Sequence, residues 1–195
     1  MNTGKTFRWF CGVLIMALLL AALSLPAFAA EKSGVFVQTA KVGSTKIVKD
    51  GAVYDMYTYT GGQAALQQDA DGTLWVPVRI VSELAGMNVV WDGQEDTVKL
   101  TDPVTGDYWM IGIDWDFAIK YHADGELLTQ HWMHKLARMR GGAVYISIQD
   151  IEAIYGFQVY ERVYEGDTYV VVTNQPLTMS YAEITALCET AAALL

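Results

Sequence analysis

One stretch of this chain is written twice, and that repetition limits the fold more than any other feature. Laid over Leu74–Gly86 at an offset of 70, the later segment places Val144 on Leu74, Tyr145 on Trp75, Ile146 on Val76 and Ile148 on Val78. Ile151 then falls on Val81, Ile154 on Leu84 and Gly156 on Gly86. Farther on the offset becomes 71, so that Asp96-Thr97 meets Asp167-Thr168. The apolar positions and the closing glycine are kept, while Pro77 becomes Ser147 and Arg79 becomes Gln149. A period of about 70 residues is the mark of a duplicated unit.

The first copy shows what the unit is. Lys46–Lys49 and Ala52–Tyr57 flank Asp50-Gly51, and Asp-Gly between two β-type runs signals a hairpin. A loop opens at Gly61-Gly62, and a short strand then ends at Pro77, a residue suited to a helix start because its missing N–H would be unpaired there. Val78, Val81 and Leu84 mark one apolar helix face, Gly86 supplies a left-handed stop, and Met87–Trp91 and Thr97–Leu100 read as a second hairpin around Asp92-Gly93. The second copy runs from a strand at Tyr108–Ile113 through a hairpin at Asp124-Gly125 to Gly156 and beyond. After Pro176 the pattern turns helical, with Ser180 and Glu183 in a capping-box spacing. The expectation is an α+β fold: one unit over 45–103, a degenerate second unit over 104–175 and a C-terminal helix over 176–195. Residues 31–44 read as a linker or an edge strand.

Residues 1–30 read as a secretory signal peptide. Lys5 and Arg8 precede an apolar run from Phe10 to Leu25, Pro26 breaks it, and Ala27-Phe28-Ala29 offers small residues for cleavage after Ala29 or Ala30. The run is shorter than the ~20 residues that span a bilayer, so no membrane association is expected after cleavage. Cys11 lacks the small or aliphatic residues that a lipid-attachment site needs before it. The sequence carries a net charge of −9, and removing Lys5 and Arg8 with the leader leaves 11 basic against 22 acidic residues, or −11. That surplus repels phosphate backbones and excludes nucleic acid as a natural partner. Of the two cysteines only Cys188 remains. It reads as a buried thiol of the last helix, with a disulfide-linked homodimer as the alternative.

The block Gly72–Thr101 resembles a known repeat, the copper amine oxidase N-terminal-like or stalk domain. Val76-Pro77-Val78-Arg79, Leu84-Ala85-Gly86, Trp91-Asp92 and Thr97-Val98 carry the likeness, and the second unit matches only in pattern. Pro77, Arg79, Gly86, Trp91 and Asp92 are the structural motif residues that the resemblance singles out. It implies small α+β modules on exported bacterial proteins, secreted or at the cell surface. It does not imply oxidase activity, because the copper and quinone of amine oxidases belong to a separate catalytic domain that nothing here resembles.

Other constellations could carry chemistry. His131 and His134 form H-x-x-H, which could give two metal ligands on a helix. The repeat alignment puts them in a loop, however, and His122 and Asp124 would have to arrive through the fold, so no metal is assigned. Asp114 and Asp116, and the group Asp92, Glu95 and Asp96, read as acidic turns. Arg79 lies in the first turn of a helix, where the dipole disfavours a cation, and is expected to be held by Asp92 or Asp96. Tyr57 and Tyr59 alternate as on one strand face, where they pack in the core or stack on sugar rings. No nucleophile elbow, phosphate loop, dinucleotide fingerprint or HExxH motif occurs, so neither catalytic residues nor a cofactor are assigned. The expected function is an exported, non-catalytic surface or wall-associated binding module with an unidentified extracellular ligand. A polysaccharide-binding accessory and, behind it, a small metal-dependent hydrolase are the alternatives.

Overall fold

The computed structural model describes residues 34–195. The leader read over 1–30 and the start of the 31–44 segment lie outside the described residues.

The first unit comprises β1 (Val37–Lys41), β2 (Lys46–Lys49), β3 (Ala52–Asp55), β4 (Gln67–Gln68), β5 (Leu74–Pro77), α1 (Val78–Leu84), β6 (Asn88–Asp92) and β7 (Thr97–Thr101). The second repeats that order with β8 (Tyr108–Gly112), β9 (Phe117–Tyr121), β10 (Leu127–Trp132), β11 (Arg138–Arg140), β12 (Ala143–Ser147), α2 (Ile148–Tyr155), β13 (Gln158–Tyr164) and β14 (Asp167–Thr173). Helix α3 (Tyr181–Leu194) follows. The described chain is thus α+β, with fourteen strands in three antiparallel sheets and three helices.

The two units are interleaved. One sheet runs β13-β14-β1-β2-β3 and another runs β6-β7-β8-β9-β10, so each takes its last hairpin from one unit and its first three strands from the other. The third, β11-β12-β5-β4, joins the units by pairing Ile146 with Val76. Residues 37–41 are therefore neither linker nor edge: β1 lies between β14 and β2 in the middle of its sheet. Its principal partner comes from the far end of the chain, with Val37 opposite Thr173, which no local pattern could announce.

The local signals fold as their chemistry demands. Asp50 and Gly51 have φ of 50° and 82°, the two positive values that a tight hairpin turn needs. Pro77 caps α1 in an extended conformation, and Gly156 ends α2 with φ 71°. Ser180 and Glu183 form the capping box reciprocally. Val81 and Ile151, the matched pair at the centre of the repeat, are both buried, at 2% and 0% exposure. They belong to one core with Val98, Leu100, Ile111 and Ala118.

The offset of 71 does not hold in the last hairpins. Val98 is part of this core, whereas Tyr169 belongs to a second cluster under α3. The structural partner of Val98 is Val170, which pairs with Ala40 as Val98 pairs with Ile111. A four-residue loop separates Asp92 from Thr97, while two residues join Tyr164 to Asp167. The registers therefore differ by one residue from the sequence match, and one residue exchanges the faces of a strand.

Helix α3 packs Ile184, Cys188 and Ala191 on Val48, Tyr169 and Val171. Cys188 is 0% exposed, and burial pushes its thiol pKa up. A disulfide between two copies would require α3 to lift from the sheet. None of the described helices is long and apolar enough to cross a membrane.

Candidate functional site

Polar side chains gather in three clusters, two of which contain residues that the sequence singled out. The first surrounds Arg79. Its Nε donates to Glu83 Oε1 at 2.8 Å, and its guanidinium carbon lies 5.5 Å from the centre of the Tyr59 ring. Tyr59 in turn stacks on Trp91, with centroids 5.7 Å apart and planes at 27°. Arg79 is thus held by Glu83, one helical turn on, where i and i+4 share a face, and not by Asp92 or Asp96. Asp92 instead accepts the backbone N–H groups of Gln94 and Glu95 in its own turn. The pair is solvent-exposed and contributes little to stability; its role is to set the guanidinium over the ring.

Beside this stack lies a cleft of about 290 Å³ lined by Tyr57, Thr58, Tyr59, Arg79, Ile80 and Glu83. Tyr57 and Tyr59 do not share a strand face. Tyr57 makes a single bridge to Gln63 and the chain then turns, so Tyr57 is 50% exposed while Tyr59 packs against the core. Burial pushes the Tyr59 hydroxyl well above its ordinary range, and that oxygen makes no hydrogen bond among the described residues.

The second cluster involves the histidines. His131 lies on β10, with Nε2 3.1 Å from Oδ1 of the fully buried Asp150. His134 contributes its backbone, its N–H donating to the same oxygen at 2.7 Å. Ser147 Oγ donates to Asp150 Oδ2 at 2.6 Å. Asp150 thus gathers three polar groups and ties the end of β10 to the start of α2. The histidines are on a strand and the turn after it, not on a helix. Among the described residues no group of three or more His, Cys, Asp or Glu side chains is placed to hold a metal ion. Sequence reasoning missed Asp150, although Ser147 followed three residues later by Asp150 is a near relative of the capping-box spacing. The replacement of Pro77 by Ser147 accompanies this knot, since the position matching Asp150 in the first unit is Ile80.

The third cluster was also unforeseen. Arg138 clasps Asp69 with two bonds, Nη1 to Oδ2 at 2.6 Å and Nη2 to Oδ1 at 3.0 Å. Arg140 reaches Oδ1 at 3.2 Å and Trp75 Nε1 donates to Oδ2 at 2.9 Å. The Arg138 guanidinium lies 3.4 Å from the centre of the Trp75 ring. Paired, planar hydrogen bonding of this kind is the strong form of the arginine–carboxylate contact. The bonds from Arg138, before its charge, lower the Asp69 pKa from 3.8 to about 2. A depressed acid stabilises the fold above its unfolded pKa and loses that contribution as pH falls through the folded value. Urea midpoints of the wild type and Asp69→Asn are therefore expected to differ at pH 6 and to converge as pH falls from about 4 to about 2. A gap that stays constant over this range would exclude the linkage.

Asp114 and Asp116 lie in the β8–β9 turn, where Asp114 has φ 60°. The matched helices are also linked directly, Ser82 Oγ on α1 lying 2.8 Å from the Tyr155 hydroxyl on α2. A family model described as the copper amine oxidase N-terminal domain matches residues 57–173, more than half of the chain and parts of both interleaved units, without dividing them into repeats. No curated protein and no solved structure matches the chain. The motif residues of the first unit and the breadth of this match lead to one conclusion: the chain belongs to the copper amine oxidase N-terminal domain family, a non-catalytic module often found in bacterial surface and cell-wall proteins.

Proposed function

We propose that this chain is an exported binding or stalk module that works at the cell surface without catalysis. The observation that carries this reading is how the polar clusters are used. Asp150 is closed by Ser147, His131 and the His134 amide, and Asp69 by two arginines and Trp75. These carboxylates hold elements together, whereas an active site keeps tuned groups open toward a substrate. Trp132, by contrast, turns its ring to solvent and is 66% exposed. The leader pattern at 1–30 and the family support export. A polysaccharide-binding accessory is the second reading, favoured by the exposed Trp132 ring.

Fractionation of cells that make the full chain tests the proposal. The protein is expected in the medium or wall fraction with an N-terminus at Ala30 or Glu31. An intact Met1 form retained in the membrane would overturn export.

A further inference from the structure

The two five-stranded sheets are related by the repeat, yet their outward faces differ. On one, α3 covers Val48, Tyr169 and Val171. On the other, strand pairing sets Trp132 opposite Phe117, Ile119 opposite Met110 and Tyr121 opposite Tyr108, all on the face away from the buried Val98, Leu100, Ile111 and Ala118. Ile119 stands where Val48 stands in the first sheet, but here α3 has no counterpart. A solvent-facing sheet surface this rich in apolar side chains marks a binding site.

We propose that this face binds a neutral glycan chain along the row Trp115, Phe117 and Trp132. Consecutive ring centres are 5.3 Å and 6.1 Å apart. Trp132 at the outer end is 66% exposed. The row is built: a Cβ at Gly112 would fall 2.1 Å from the Trp115 ring, so only glycine lets that ring lie on β8. The ring planes are inclined at 37° and 80°, which suits one twisted chain rather than a flat crystalline surface. Aromatic faces take the C–H faces of sugar rings, and the exposed Asp114, Asp116 and Gln130 around the row supply acceptors for hydroxyl groups. Charge selects against an anionic partner. The two carboxylates flank Trp115, and Lys99, a cation of this face, is 3.8 Å from the centre of the Tyr108 ring, where the ring already satisfies it. The proposal deepens the binding-module reading and rests on it for the biological setting. Its test uses purified protein, so failed export and failed binding are separable.

Titration of the purified chain with cellohexaose and with the hexamer of N-acetylglucosamine, followed by calorimetry and tryptophan fluorescence, is the experiment. At least one hexamer is expected to bind, with Kd raised about tenfold or more by Trp132→Ala, partly restored by Trp132→Phe and unchanged by Tyr57→Ala in the separate cleft. Circular dichroism checks that the variants fold. The proposal is overturned if neither hexamer binds, if Trp132→Ala leaves affinity unchanged, or if Tyr57→Ala abolishes it. It is equally overturned if sedimentation shows the face buried in a dimer that Trp132→Ala dissociates.

Discussion

Asp150→Ala is expected to destabilise the fold by about 3–5 kcal/mol, the cost of removing one member of a buried polar set and leaving the others unpaired. Ser147 Oγ, His131 Nε2 and the His134 N–H all converge on this carboxylate, which is 0% exposed. The two histidines are not equivalent in consequence. His131→Ala removes a side-chain donor and should cost about 1–3 kcal/mol. His134→Ala keeps the backbone donor and should cost far less. Equilibrium urea unfolding of the three variants measures the order. Joint replacement of the histidines is therefore expected to weaken the fold through His131. An Asp150→Ala protein as stable as the wild type would show that the knot carries no weight.

Ile151→Ala is expected to cost about 2–5 kcal/mol, combining lost burial with the cavity left in a packed interior. Ile151 is fully buried on the inner face of α2, and its counterpart Val81 is buried on the inner face of α1. Val81→Ala removes fewer atoms and should cost less. Because both side chains lie in one core, each single variant should still unfold in one transition, by fluorescence and by circular dichroism alike. Two separated transitions in either variant would mean that the units hold independent cores.

What could be read in the sequence was what neighbouring residues decide between themselves. Asp50-Gly51, Pro77 before α1, Gly156 after α2 and the Ser180–Glu183 box each specify backbone geometry within a few residues, and all appear as expected. The apolar repeat was legible for the same reason, since burial on one helix face imposes a period. What escaped depends on contacts across the chain. Asp69 and Arg138 are 69 residues apart, and His131 and Asp150 are 19 apart. The strand at Val37–Lys41 shows little apolar alternation, because Gln38 and Thr39 are buried there as polar residues. The Arg79–Glu83 pair is different: its i,i+4 spacing is plain in the sequence.

The interleaving of the sheets has a kinetic consequence. Strand β1 near the start of the described chain cannot find β14 until Asp167–Thr173 is available, and β5 must await β12 from the following unit. Pairings so distant in sequence make for slow closure, because chain entropy is lost before the contacts form. Neither half has a finished sheet of its own to stop at. A chain emerging from a ribosome therefore remains without a completed fold until nearly its last strand is free, and then both halves lock together.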